Sequence, residues 1–268
     1  MVSLLSLLKH IGRAPELISA SRQTPAWATL LKYYLEFGPP QYPLHLPLRG
    51  GGLLTLSDPS EVKVFWNLFI HGAYRIPADC GTILDCGANS GVFCLWAVRQ
   101  RPSVRIVALE PFPQTFAKLE VNVRQNHLEN QIQCVQVGLA ATAGERSMFT
   151  GGDSPLRSLV PNDLQAPPEA MRVRCIRLAD CLRDFRLERL DLLKIDIEGS
   201  EWEVLLSTEP SVLSRVRHIQ VEYHEVPARF GYTPEKLFAH LMEAGHKLTF
   251  RIEDAYRTGL AHFERVTK

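Results

Sequence analysis

Apolar and polar positions alternate in blocks along most of this chain. Short apolar runs near residues 82–85, 104–109, 132–137, 191–196 and 217–223 each stop at an acid, a proline or a turn, and they read as buried strands. Between them the pattern changes to a helical period, near 91–100, 112–126, 199–207 and 234–244. Strands that alternate with helices predict an α/β fold with a doubly wound, mostly parallel sheet and right-handed crossovers. Two further runs, 246–252 and 260–266, read as a closing hairpin.

The first 75 residues have a different grain. Leu4, Leu5, Leu8 and Ile11 fall at helical spacing, as do Trp27, Leu30, Leu31, Tyr34 and Leu35. Strands are expected at 42–48 and 53–56 around a Gly50–Gly51–Gly52 turn, and a helix from Ser57-Asp58-Pro59-Ser60 to about His71. This gives an N-terminal helical and hairpin extension, 1–75, ahead of a ligand-binding domain, 76–268. The helices are expected to cap the core, cover the substrate site or mediate a homodimer. Between the third and fourth core strands, 144–185 reads as an insertion near the carboxyl ends of the sheet, where ligands bind in such folds.

Composition narrows the partners. Lys and Arg total 30 against 29 Asp and Glu, so no basic surplus points to nucleic acid. No apolar run is long enough to span a membrane. The N-terminus reads as a helix rather than a signal peptide. The six cysteines show neither C-x-x-C pairs nor zinc spacing, which suits free buried thiols in a reducing cytoplasm.

The chemistry concentrates at three strand ends. Thr82–Gly91 reads T-I-L-D-C-G-A-N-S-G: a strand ends in Asp85, and Gly87, Asn89 and Gly91 follow in a turn before a helix. It is neither G-x-G-x-x-G nor a P-loop. A carboxylate at Asp85 repels phosphate and suits a cationic ligand such as S-adenosylmethionine, which has an ammonium, a sulfonium and no phosphate. The second strand ends in Glu110, nineteen residues after Gly91, where an acid binds ribose hydroxyls in nucleotide folds; Phe112 is placed to lie against adenine. The third stretch, 190–201, packs Asp191, Lys194, Asp196, Glu198 and Glu201 around a strand end, costly unless paired or used.

With these pieces the chain resembles the FkbM family of S-adenosylmethionine-dependent methyltransferases. The resemblance rests on LDCGANSG, ALEPFP, LLKIDIEGSEWEVL and VEYH, over roughly residues 42–250. It implies a class I methyltransferase, Rossmann-like fold. It places Asp85, Gly87, Asn89, Gly91, Glu110, Phe112, Gly138, Asp196 and Tyr74 at the cofactor, although the surroundings of Gly138 depart from the family pattern. Tyr74 is expected either over the methionine end of the cofactor or as a core aromatic.

The implied activity is O-methylation of a hydroxyl or carboxylate on a small molecule, such as a sugar or secondary metabolite. A macromolecular acceptor (protein or RNA) and a non-catalytic binding module of the same fold are the alternatives. Asp196, Glu198, Glu222 and His224 are candidate bases, with His224 favoured for its near-neutral intrinsic pKa and Asp196 also expected to hold the cofactor or substrate. Lys194 is expected on the opposite strand face from Asp196, in a structural ion pair. Asp196, Glu222 and His224 carry donor atoms suited to a metal, but no fixed ligand spacing supports one, and no metal is expected.

Overall fold

The computed structural model describes residues 14–35, 41–150, 157–158, 170–253 and 258–266. Its centre is a seven-stranded sheet built from β3 (Thr82–Cys86), β4 (Arg105–Leu109), β5 (Ile132–Val135), β10 (Leu190–Ile195), β11 (Val216–Tyr223), β12 (His246–Glu253) and β13 (Gly259–Arg265), in the spatial order β12-β13-β11-β10-β3-β4-β5. The five strands from β5 to β11 run parallel, and only β13 and β12 join antiparallel. The expected closing hairpin therefore forms, with β13 inserted between β11 and β12.

Period-two alternation explains the two covered faces. Ile83, Ile106 and Leu192 point into one apolar cluster, while Leu84, Val107 and Leu193 point into the other. Helices α4 (Val92–Gln100) and α5 (Pro113–Gln125) lie on the first face. Helices α6 (Leu178–Asp184), α7 (Glu201–Ser207), α8 (Pro210–Leu213) and α9 (Pro234–Glu243) belong with the second. The short α6 and α8 were not anticipated; each buries too few apolar positions for its period to stand out.

The extension packs on the first face. Helices α1 (Ala14–Gln23) and α2 (Trp27–Tyr34) precede the hairpin β1 (Leu44–Pro47) and β2 (Leu53–Leu56), whose strands pair antiparallel. Helix α3 (Pro59–Phe65) starts as the sequence indicated: Asp58 Oδ1 accepts the N–H groups of Ser60 and Glu61 at 3.0 and 3.2 Å, with Pro59 in the first turn. It continues as a π-helical turn, Trp66–His71, closed by Gly72. Tyr34 stacks on Trp66, whose indole N–H donates to Glu16, so the two described N-terminal helices cap this face. The periodic stretch from Leu4 to Ile11 lies outside the described residues.

The run expected as one strand over 132–137 divides. After β5 the chain turns, and β6 (Gly138–Leu139) pairs instead with β9 (Ala170–Ile176), in a small sheet ordered β6-β9-β7-β8 with β7 (Gly144–Thr150) and β8 (Arg157–Ser158). The 144–185 insertion supplies β7, β8 and β9 of this sheet, and Met148 brings it to the edge of the cleft described next.

Candidate active site

In the sheet order, β3 has β4 on one side and β10 on the other, so the chain reverses direction of growth at β3. Ligands bind outside the carboxyl ends of the strands at such a reversal. A cleft with about 950 Å³ of empty space, part of it open to solvent, lies there. Gly87, Asn89, Glu110, Gly138 and Asp196, all expected at the cofactor, line it.

Glu110 organises the cleft's β4 side. Its Oε2 accepts the Asn89 N–H at 3.0 Å and its Oε1 the Phe112 N–H at 2.9 Å, which ties the turn after β3 to the turn after β4. Asn89 is held at φ +49°, a conformation asparagine tolerates better than most residues. Gly87, at φ +80°, is required for a different reason from the expected close approach to a ligand. A Cβ there would stand 1.8 Å from the Asp196 carbonyl oxygen, so glycine lets the loops after β3 and β10 touch.

Four expected positions lie off the cleft wall. Asp85 is fully buried, with Lys194 Nζ 3.1 Å from its Oδ1 and the Cys94 thiol donating to its Oδ2 at 3.2 Å. The cation it meets is Lys194, not a ligand. Gly91 packs on Leu119 at the start of α4. Phe112 is buried against Ala140, Met148, Val173 and Cys175, leaving Pro111 on the wall. Tyr74 is a core aromatic, yet its hydroxyl donates to Glu222 Oε2 at 2.8 Å, so it also touches the acidic cluster.

Lys194 and Asp196 share a face of β10, contrary to the expectation that they oppose each other. Residues two apart on a strand point the same way, and Nζ lies 3.5 Å from Asp196 Oδ2 while donating to the Gly87 carbonyl at 2.9 Å. Burial alone would lower the Lys194 pKa, but Asp85 and Asp196 outweigh it and hold the group well above its ordinary value. The expected structural ion pair is present, and its lysine also lines the cleft, with Asp85 buried behind it.

Strands β10 and β11 are neighbours, with Ile195 paired to Val221, so Asp196 and Glu198 meet Glu222 and His224. His224 Nε2 is 3.9 Å from Asp196 Oδ1 and 3.5 Å from Glu198 Oε2; its Nδ1 is 3.2 Å from Glu201 Oε1. Burial opposes its charge, but these carboxylates, Glu201 first, raise its pKa to about 10. This shift favours the protonated ring and so argues against the expectation of a near-neutral histidine poised as a base. Burial, reinforced by Asp196, pushes Glu222 up to about 7; burial also pushes Glu198 to about 7 against the pull of His224.

Sequence reasoning missed Ser90, Ser200 and Glu61, which all line the cleft. The two serine hydroxyls are buried with no hydrogen-bond partner among the described residues. Ser90 stands beside Gly91 and Ser200 within the LLKIDIEGSEWEVL motif, the signals that could have found them. Glu61, on α3, is buried in an ion pair with Lys118 at 3.0 Å. Its only sequence sign is an acid in a helix's first turn, which is ordinary.

The strand order, the turn after β3 and the cleft at the reversal define a class I methyltransferase. The chain belongs to the Methyltransferase FkbM domain family, whose family model matches residues 85–252, as its strand-end motifs indicated. It is 33% identical to methyltransferase sdnD of Sordaria araneosa over 53% of this chain and 66% of that one. It is 28% identical to 31-O-demethyl-FK506 methyltransferase FkbM of Streptomyces tacrolimicus over 63% of this chain and 75% of the other. One relative is far longer: the chain spans 10% of the AMB antimetabolite synthetase AmbE of Pseudomonas aeruginosa, at 29% identity over 68% of this chain. The crystal structure of methyltransferase FkbM from Methylobacillus flagellatus KT superposes with a TM-score of 0.51 at 14% identity, covering 96% of this chain and 60% of that one, which shows the shared fold.

Proposed function

We propose that this chain is a cytoplasmic, S-adenosylmethionine-dependent O-methyltransferase acting on a hydroxyl of a small molecule. The observation that carries the reading is the placement of Glu110 and Asp196 on the wall of one cleft at the sheet's reversal. An acid after β4 suits ribose hydroxyls, and the carboxylates after β10 and β11 suit a positive group. The orphaned hydroxyls of Ser90 and Ser200 add polar atoms that a bound ligand would satisfy.

S-adenosylmethionine supplies a methyl on a sulfonium, open to displacement by an oxygen nucleophile. The chain's own residues bind, orient and move a proton. Glu110 holds the turn after β3 and accepts from the ligand's hydroxyls. Asp196 and Glu222 are the carboxylates that take the proton of an acceptor hydroxyl. Tyr74 fixes the Glu222 carboxylate through its hydrogen bond. His224, backed by Glu201, faces Asp196 and Glu198 and is not assigned the proton transfer.

A hydroxyl is favoured over a carboxylate because Asp196, Glu198 and Glu222 would repel an anionic acceptor. The relative 31-O-demethyl-FK506 methyltransferase FkbM, named for methylation at an oxygen, supports transfer to an oxygen of a small molecule. No helix among the described residues is long and apolar enough to cross a membrane, and the six cysteines are free, in keeping with a reducing compartment.

The experiment is mass spectrometry of the chain with S-adenosylmethionine and a panel of sugars, hydroxylated polyketides, organic acids, RNA and protein. A mass gain of one methylene confined to hydroxyl compounds is expected. Transfer only to carboxylates, RNA or protein would overturn the acceptor class. Absence of calorimetric binding of S-adenosylmethionine would overturn the cofactor.

A further inference from the structure

We propose that Asp196, Glu198 and His224 form a divalent-cation site, suited to a borderline ion such as Mn²⁺, where the loops after β10 and β11 meet. One donor atom from each lies within 4.8 Å of the other two. Glu198, rather than the expected Glu222, completes the set; Glu222 is turned to Tyr74.

The spacing fits an ion better than direct contact. His224 Nε2 stands 3.9 Å from Asp196 Oδ1 and 3.5 Å from Glu198 Oε2. A charge-assisted N–H···O bond would close to about 2.7–2.9 Å. Ligands around an octahedral ion with bonds near 2.1 Å lie about 3 Å apart when adjacent and about 4.2 Å apart when opposite. Small side-chain adjustments bring the three donors onto such a shell.

The imidazole is aimed from behind. Its Nδ1 faces the fully buried Glu201, which also accepts the backbone N–H groups of His224 and, at 2.9 Å, Gly199. A carboxylate on the second nitrogen is the usual support of a metal-binding histidine, because it fixes the ring and raises the basicity of the coordinating nitrogen. A separate observation points to a ligand at this place. Ser200 is 1% exposed, its hydroxyl has no hydrogen-bond partner among the described residues, and it lines the same cleft as Asp196 and Glu198.

Charge agrees. Asp196, Glu198, Glu201 and Glu222 crowd together against His224 and Lys194, and Lys194 is already engaged with Asp85. Two carboxylate oxygens and one imidazole nitrogen favour a borderline divalent ion, and three of six positions stay open for water or an acceptor oxygen. A hydroxyl held there would lose its proton more readily. The ion's place beside the transferred methyl rests on the function proposed above; the site itself does not.

The test uses the full chain, stripped with a chelator and titrated with Mn²⁺ while free ion is followed by electron paramagnetic resonance. One bound Mn²⁺ per chain is expected. Glu198→Gln and His224→Gln should each weaken binding at least about tenfold, and Glu201→Gln by about 10–100-fold, whereas Glu120→Gln on the exposed face of α5 should leave it unchanged. Circular dichroism identifies any variant that fails to fold, and Asp196→Asn then takes its place. No bound Mn²⁺ at millimolar concentration, or binding unaffected in folded variants, overturns the site. Calorimetry with S-adenosylhomocysteine on the same samples separates the two readings. Nucleoside binding without Mn²⁺ binding rejects the metal site alone. Mn²⁺ binding without nucleoside binding keeps the site and rejects the cofactor.

Discussion

Lys194 and Asp85 are cross-strand partners on the parallel pair β10 and β3, and their charged groups meet 3.1 Å apart with almost no solvent contact. Lys194 lines the cleft with Asp85 behind it, and the pair sets the position of the loops on both sides, because Nζ also holds the Gly87 carbonyl.

Removing one member of this pair strands the other. Lys194→Met should destabilise the chain by about 3–5 kcal/mol, the usual cost of an unpaired buried charge. The double variant Lys194→Met, Asp85→Leu should recover part of that loss, since removing both charges removes the desolvation cost of each. Urea unfolding of the two variants checks this. Equal stability of wild type and Lys194→Met would show that Asp85 is satisfied without the lysine.

Gly87 is predicted to be sensitive through the fold, before any ligand is considered. A Cβ would overlap the Asp196 carbonyl at 1.8 Å, and the backbone is at φ +80°. Gly87→Ala should therefore lower the melting temperature or abolish soluble expression, because backbone cannot yield as a side-chain tip does. Gly138→Ala, whose nearest atom is the Cys175 sulfur at 3.1 Å, should be milder. A Gly87→Ala protein melting with wild type would contradict the observed loop contact.

Glu110→Ala should weaken S-adenosylhomocysteine binding by roughly 1.5–3 kcal/mol, the value of a charge-assisted hydrogen bond. It also frees the Asn89 and Phe112 N–H groups, so Glu110→Gln, which retains acceptor oxygen, should lose less. Calorimetry ranks the three proteins. Unchanged affinity in folded Glu110→Ala removes the ribose assignment.

Glu222→Gln should reduce turnover on an alcohol acceptor by roughly 10²–10⁴ if this carboxylate takes the proton. Nucleoside affinity should barely move, because the role is confined to the reaction step. Tyr74→Phe deletes only the bond that fixes Glu222, so its effect should be smaller and also fall on turnover. Steady-state kinetics with calorimetry read both; a Glu222→Gln enzyme at full speed transfers the role to Asp196.

His262 on β13 predicts an acid-sensitive fold. Burial, then the nearby Arg75 charge, pushes its pKa down to about 4 from 6.5, and its Nε2 has no hydrogen-bond partner among the described residues. Below about pH 6.5 the unfolded chain binds a proton that the folded chain refuses until about pH 4. Stability present at neutral pH is therefore lost as pH falls through that window, by up to about 3 kcal/mol at 1.36 kcal/mol per pKa unit. His246 and His218 are shifted in the same direction, chiefly by burial. His262→Phe should retain more stability at pH 4.5 than wild type, measured as urea midpoints at pH 7 and pH 4.5. Parallel loss in both proteins would assign the acid sensitivity elsewhere.

The sequence by itself determined the alternation of strands and helices, the three acid-terminated strand ends and the family. These are written in local order: apolar runs of strand length, Asp58 and Pro59 at a helix start, and a turn read from Gly87 to Gly91. Tertiary structure decided which acids face ligand and which face protein. Asp85 and Glu110 end adjacent strands and read alike in the chain, yet Asp85 meets Lys194 from β10 while Glu110 lines the cleft. The charge state of His224 depends on Glu201, Asp196 and Glu198, which approach it only because β10 and β11 lie side by side. Electrostatic and packing effects act through distances of a few ångströms between residues far apart in sequence, and those distances exist only once the sheet is assembled.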